Sequence, residues 1–291
     1  MGKVALVLSG GGAKGAFQVG VEKYAREVKG YNWGIIAGVS VGSLNGVMLA
    51  MEKYKRLEHI WNTLCNRCVY SGRLSPWTAV RLLFGAKSIY DNKPLADIIE
   101  NEFDPELLKV DFRVGTVSLR TGKYTMYRRG DPDLKRAILA STVMPIIWPP
   151  HRVSDICEDM VDGSLRRFSP IGDVLDAEPD EVFIINCRPQ TQETVTGPFK
   201  NVFEIGIRTY EIATDEIIYS DIREFVHINR NVQEAAEKGV TLHNIKGKPY
   251  KWYRCTIIEP TERLGSMLDF SRQALDRHLE TGWERAREIL G

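Results

Sequence analysis

Val4-Ala-Leu-Val-Leu8-Ser9-Gly10-Gly11-Gly12-Ala13-Lys14-Gly15 and Trp33-Gly-Ile-Ile-Ala37-Gly38-Val39-Ser40-Val41-Gly42 decide the fold. In each, an apolar run breaks off at glycine and a helical pattern begins. Lys3 to Leu8 is apolar after its first residue and rich in branched side chains, as in a strand covered on both faces of a parallel sheet. Gly15 to Val28 then carries Ala16, Val19, Val21, Tyr24 and Ala25 at helical spacing and is closed by Gly30. Trp33 to Ala37 is a second short strand. Ser43 to Met51 follows as a helix with Leu44, Val47, Met48 and Met51. This βαβα opening implies a right-handed crossover, hence an α/β fold with a central, mostly parallel sheet flanked by helices.

The remainder alternates less regularly. Helices are expected at Leu57–Leu64, at Trp77–Phe84 behind Pro76, at Leu95–Glu102 behind Pro94, and from Pro132 to Ser141. Phe112–Leu119 and Lys123–Tyr127 alternate like strands around Arg120-Thr121-Gly122, which reads as a hairpin. Val182–Cys187 is a buried strand. Asn201–Asp221 and Glu262–Leu290 read as long helices, with short strands at Phe225–Ile228 and Tyr250–Ile258 between them. Arg188–Pro198, rich in Thr, Gln and Pro, reads as a mobile loop.

Composition excludes several functions. The chain has 291 residues and a formal net charge of +1, so no global field draws it to nucleic acid. Its 43% hydrophobic content is ordinary for a globular protein, enough to bury one large core. Val4–Leu8 is too short for a signal peptide, and no stretch reaches transmembrane length, so any membrane contact is expected to be peripheral. The five cysteines are an odd, scattered set that forms no disulfide framework. Cys65-x-x-Cys68 lacks a second pair or a nearby histidine to complete a zinc site and reads as an incidental pair. A reducing cytoplasm fits this cysteine usage, and neither metal nor cofactor is called for.

Gly38-Val-Ser40-Val-Gly42 has the G-x-S-x-G spacing of a nucleophile elbow. A serine at a tight strand-to-helix corner needs small neighbours where backbones crowd. The helix that follows points its positive end at the hydroxyl, which favours developing negative charge. Gly10-x-Gly12-x-x-Gly15 also fits a dinucleotide fingerprint, but that motif needs an acid at the end of the second strand. This strand ends in the serine elbow instead. A phosphate-binding P-loop fails as well, because Lys14 is followed by Gly15 and Ala16. What remains is a nest of N–H groups suited to one oxyanion, with Lys14 either adding positive charge or solvated.

A serine nucleophile needs a base. None of His59, His151, His227, His243 and His278 sits in a recognisable active-site motif, and His151 after Pro149-Pro150 reads as a structural loop residue. Asp162 in Val161-Asp162-Gly163-Ser164 is the better candidate, although an isolated Asp-Gly is usually a turn.

Three elements now stand in order: G-G-G-A-K-G, G-V-S-V-G and D-G-S. That order resembles the patatin-like phospholipase family, which pairs a glycine-rich oxyanion loop with G-x-S-x-G and D-G-[GA]. Ala140-Ser-Thr-Val-Met-Pro145-Ile-Ile-Trp-Pro149-Pro150 is similar to the family's proline-bounded segment before the aspartate, and Pro170 to its downstream proline. The resemblance covers residues 3–187. It implies a three-layer α/β/α hydrolase domain spanning residues 1–291, its helix-rich part at 198–291 carrying no motif.

The resemblance further implies a Ser–Asp dyad acting on lipid acyl esters. Ser40 would be nucleophile and Asp162 base, with Gly10, Gly11, Gly12, Lys14 and Gly15 at the oxyanion and Gly38 and Gly42 flanking the elbow. Ser164 departs from the usual Gly or Ala, and Arg166-Arg167-Phe168 from a stretch that often holds Asn, so head-group and chain contacts are expected to differ. Arg120, Lys123, Arg128, Arg129, Arg152 and Arg166-Arg167 either attract anionic head groups or are simply solvated. Trp61, Trp77, Phe84 and Trp148 either line an acyl pocket or lid, or pack the core. Two other classes share the motifs: an acyltransferase, which usually places histidine where Val39 stands, and a non-catalytic lipid-binding regulator.

Overall fold

The computed structural model describes residues 3–69, 84, 88–190 and 197–291. Among them, seven strands form one sheet in the order β4-β3-β2-β1-β6-β7, with β5 attached to β3. These are β1 (Val4–Leu8), β2 (Trp33–Gly38), β3 (Asp111–Ser118), β4 (Tyr124–Arg128), β5 (Met160–Asp162), β6 (Glu181–Ile185) and β7 (Arg254–Ile258). β1, β2, β3, β6 and β7 run parallel, and β4 and β5 run antiparallel to β3. The helices used below are α1 (Gly15–Glu27), α2 (Val41–Ala50), α3 (Tyr54–Thr63), α4 (Lys93–Glu102), α5 (Leu134–Ser141), α6 (Val202–Glu237) and α7 (Arg272–Leu290).

Alternation along each strand makes the three layers. Leu6, Leu8, Ile36, Phe183 and Ile185 join the core beneath α1, α2, α5 and α7, whereas Ala5, Val7, Ile35, Ala37, Val182 and Ile184 join the core beneath α6. Both faces of the central strands are therefore covered, which is why they read as unbroken apolar runs. α1 and α7 cross closely because a Cβ on Gly20 would lie 2.1 Å from the Leu279 carbonyl oxygen, and one on Gly282 would lie 2.2 Å from that of Phe17.

Several expectations change. Phe225–Ile228 is part of α6, not a strand. Ile218, Ile222 and Phe225 are all buried at spacings of one and two helical turns, so the stripe that seats α6 on the sheet overrides the local β preference. Asn201 caps α6 by accepting the Glu204 N–H at 2.9 Å, and the left-handed Gly239 ends it. The C-terminal helix begins at Arg272, not Glu262, and the strand within Tyr250–Ile258 is only Arg254–Ile258. Arg188, the first residue of the expected mobile loop, is buried and paired with Asp215. Trp77 and all but the last residue of the Trp77–Phe84 helix lie outside the described residues; Phe84 itself is 87% exposed.

β3 sets the geometry of the site. β4 occupies one of its edges over Arg113–Val117, so β2 and β5 share the other. Gly38 is level with Val114 and Asp162 with Thr116. At about 3.3 Å per residue, Asp162 lies one elbow's length beyond the end of β2. Because β1 and β2 are parallel, with Leu8 level with Gly38, the glycine loop leaves the sheet at the same end.

Candidate active site

Ser40 sits between β2 and α2 with φ 55° and ψ −132°, a conformation that costs an L residue on the order of 1–3 kcal/mol. Surrounding contacts hold it there. Its N–H donates to Ser141 Oγ at 3.0 Å, and its carbonyl accepts from Ser43 Oγ at 2.6 Å. The flanking glycines are steric necessities: a Cβ at Gly38 would lie 2.3 Å from the Gly42 carbonyl oxygen, and one at Gly42 would lie 2.3 Å from that of Leu8. α2 therefore starts directly behind the hydroxyl.

The glycine loop packs against this elbow. A Cβ on Gly15 would lie 2.3 Å from Val41 Cγ2, so this glycine lets the first turns of α1 and α2 touch. A Cβ on Gly10 would stand 3.3 Å from Ser40 Cβ, but the Gly10 N–H is engaged by the Phe168 carbonyl at 3.2 Å. Gly10 thus belongs to the site through its small size and not through its N–H. Among the described residues, no protein acceptor takes the Gly11 or Gly12 N–H. Gly12 has φ 59°, and the next residue, Ala13, donates its N–H to the Met267 carbonyl at 2.8 Å.

Lys14 corrects the solvated reading. It is completely buried, and among the described residues its Nζ has no hydrogen-bond partner. Burial, seconded by the Arg188 charge, lowers its pKa to about 8. The side chain lies among Cys187, Arg188, Glu211 and Arg263, and it does not line the cavity beside Ser40.

Asp162 ends β5, and its N–H donates to the Val143 carbonyl at 2.9 Å. Its Oδ1 accepts the Ser164 N–H at 2.9 Å, and the Ser40 side chain lies near enough to favour the charged carboxylate. Gly163 must be glycine, because a Cβ would lie 2.4 Å from the Gly115 carbonyl oxygen. Burial raises the Asp162 pKa to about 6, and the hydrogen bond from Ser164 and the nearby Ser40 side chain oppose the rise. The carboxyl therefore changes its charge close to neutral pH. Among the described residues, no histidine nitrogen is bonded to Ser40 or Asp162. His227 bonds to Asn231, and His278 lies against the Ala13 and Leu264 carbonyls.

Beside Ser40 opens a cavity walled by Val41, Leu44 and Met48 of α2, Trp61 of α3, Ile99 of α4, and Trp148 and Phe270. Its lining is nearly all hydrocarbon. Trp61 donates its Nε1–H to Asn45 at 2.8 Å, which satisfies its polar edge and leaves the ring to the cavity. Trp61 and Trp148 line this cavity and are also buried members of the main core. Three of the seven basic residues are paired with carboxylates: Arg120 with Glu158 and Asp159, Arg152 with Asp155 and Glu158, and Arg167 with Asp173.

Three residues beside the site have no role assigned from the sequence, although Ser141 and Val143 lie in the proline-bounded segment Ala140–Pro150. Ser141 holds the elbow, and Val143, two residues on, holds Asp162, so one short segment braces both groups. Tyr210 reaches in from α6, its hydroxyl 3.2 Å from Ser164 Oγ, and burial pushes its pKa well up.

The patatin-like phospholipase family profile matches residues 6–175, more than half of the chain, and the chain belongs to that family. Membership makes it an ester hydrolase acting on lipid acyl chains. The chain is 25% identical to the cGAMP-activated phospholipase of Vibrio cholerae over 82% of this chain and 84% of that one. It is 28% identical to an uncharacterised NTE family protein of Mycobacterium tuberculosis over 61% of this chain, which spans 47% of that relative. In architecture it resembles VipD of Legionella pneumophila, with a TM-score of 0.50 and 14% identity, covering 99% of this chain and 66% of that one.

Proposed function

We propose that Ser40 and Asp162 form a catalytic dyad that cleaves a carboxylic ester of a lipid through an acyl-enzyme. The observation that carries this reading is Ser40, on its strained elbow, lining an apolar cavity with its side chain near enough to the buried Asp162 carboxylate to lower that group's pKa. Asp162 takes the hydroxyl proton as Ser40 Oγ attacks the ester carbonyl. The Gly11 and Gly12 N–H groups and the positive end of α2 receive the oxyanion. As the tetrahedral intermediate collapses, protonated Asp162 returns its proton to the leaving alcohol, and the acyl chain remains on Ser40 with its tail in the cavity. Water, deprotonated by Asp162, then attacks the acyl-enzyme, and the fatty acid leaves. No metal or cofactor enters these steps.

The substrate reading is a phospholipid or lysophospholipid, met by peripheral contact with a lipid surface. The test is labelling by a fluorophosphonate together with turnover of a short p-nitrophenyl ester. Wild type should be labelled and active, and Ser40→Ala neither. Equal turnover by folded Ser40→Ala would overturn the assignment. The Vibrio relative suggests a second reading, control by a cyclic dinucleotide. Ester turnover stimulated by added cGAMP would support it, and an unchanged rate would remove it.

A further inference from the structure

Cys65 and Cys68 close a tight turn just after α3, with the Cys68 N–H donating to the Cys65 carbonyl at 2.9 Å. Their Sγ atoms lie 2.6 Å apart, well inside the contact distance of two unbonded sulfurs, and Cys65 is exposed. The chain around the pair belongs to the cavity. Leu64 and Val69, on either side, line it, and Asn66 Oδ1 accepts the N–H of Phe270, another wall residue, at 2.9 Å. The other three cysteines do not share this setting; Cys187, for example, is fully buried and its pKa is pushed up to about 12.

We propose that Cys65 and Cys68 are a reversible dithiol–disulfide centre at the rim of the cavity, oxidised by a low-molecular-weight disulfide such as oxidised glutathione. The Cys65 thiolate, favoured by the Cys68 thiol and nearby backbone N–H groups, attacks one sulfur of the small disulfide and expels one thiolate. Cys68, giving its proton to solvent, then attacks Cys65 Sγ in the mixed disulfide and expels the second thiol. Two protein thiols become one disulfide, and one small disulfide becomes two thiols. A small thiol such as glutathione in excess reverses the sequence. A C-x-x-C turn suits this chemistry because the second thiol is held where it resolves the mixed disulfide before a second small thiol can bind.

The consequence for the cavity rests on the acyl-ester reading; the redox chemistry does not. Oxidation fixes the Leu64–Val69 wall and, through Asn66, the Phe270 side. Accommodation of a long chain should then fall relative to a short one by roughly tenfold, the discrimination that one methylene of pocket contact carries.

The test begins with thiol counting. After folded wild type is incubated in oxidised glutathione, maleimide counting in denaturant should find three free thiols instead of five, the two lost mapping to Cys65 and Cys68. Dithiothreitol should restore them. Cys68→Ser should instead accumulate a glutathione adduct on Cys65, and Cys65→Ser should lose no thiol. A wild-type protein that keeps all five thiols, carries a persistent glutathione adduct, or pairs between chains overturns the proposal. Long- and short-chain p-nitrophenyl esters are then compared before and after oxidation. Two thiols lost with an unchanged chain-length ratio would overturn the effect on the cavity. No ester turnover in either state, with the disulfide formed, would sink the acyl-ester reading and leave the redox centre standing.

Discussion

The two ends of the chain meet at the glycine loop and bring different things to it. Residues 3–187 bring Ser40, Asp162 and the Gly11 and Gly12 N–H groups, each placed by a short link to a neighbouring strand. Residues 198–291 bring supports: the Met267 carbonyl on Ala13, His278 beneath the Ala13 carbonyl, Tyr210 on Ser164, and Phe270 in the cavity wall. The proposed reacting groups depend on sequence-local geometry that a motif can record. The supports depend on where long helices come to rest, and many side chains could provide them. Substitutions in the first region should therefore remove turnover and spare the fold, whereas those where the two regions meet should affect both.

The largest effect is expected at Asp162. Asp162→Asn keeps an oxygen that can accept the Ser164 N–H but cannot take a proton, so kcat should fall on the order of 10⁴-fold. The folded pKa lies above the ordinary carboxylate value of 3.8, so ionisation of the buried group costs the fold stability as pH rises from about 4 to about 6. The asparagine variant escapes that cost, and its melting temperature at pH 8 should be no lower than that of wild type. In wild type, kcat/KM should rise as pH climbs through about 6, because only the ionised carboxyl accepts the serine proton. A profile flat from pH 5 to 8 would show that another group is the base.

This contrast also explains what the sequence could tell. The βαβα opening, the elbow and Asp162 were legible because glycine is obligatory where backbones approach to within a van der Waals diameter, and such glycines leave a fixed pattern. Gly38, Gly42 and Gly163 are of this kind. The role of Gly10 was only half legible, since its N–H is spent on Phe168, far away in the chain. Phe225–Ile228 misled because a β-branched run within a helix looks like a strand until its partner surface is known. Lys14 stayed open between two readings for a different reason. A lysine in a polar, glycine-rich loop looks solvated, and only the arrival of Cys187 and α6 buries it.

Gly12→Ala tests the junction of the two regions directly. The new Cβ would lie 2.3 Å from the Met267 carbonyl oxygen at a position with φ 59°. Strain of roughly 1–3 kcal/mol should appear as a lower urea midpoint. A displaced loop should also cost kcat on the order of a hundredfold, as the loss of an oxyanion donor does. Normal kcat in a destabilised variant would mean that the Gly12 N–H takes no part in the reaction.

Ser141→Ala separates positioning from folding within the first region. It leaves the Ser40 N–H without its acceptor at a strained residue, worth roughly 1–3 kcal/mol. If that bond holds the hydroxyl toward Asp162, kcat and the rate of fluorophosphonate labelling should fall together by about tenfold or more, with KM unchanged. A purely structural role would lower the melting temperature and leave both rates alone.

Lys14→Met should have the smallest effect, and it acts in the opposite direction. The buried ammonium has a folded pKa of about 8 against 10.5 when unfolded, so between those values the unfolded chain binds more protons and wild-type stability rises with pH. Below pH 8 the full penalty of burying the charge is present, softened by Glu211. Methionine fills much the same space without that penalty, so at pH 7 the variant should be more stable by roughly 1–2 kcal/mol in urea unfolding, with its advantage shrinking as pH approaches 10.5. If turnover falls while stability rises, the charge was retained for its field at the glycine loop. If turnover is unchanged, the charge serves neither the fold nor the reaction. A variant less stable than wild type at pH 7 would show that the ammonium has a partner strong enough to reverse the sign.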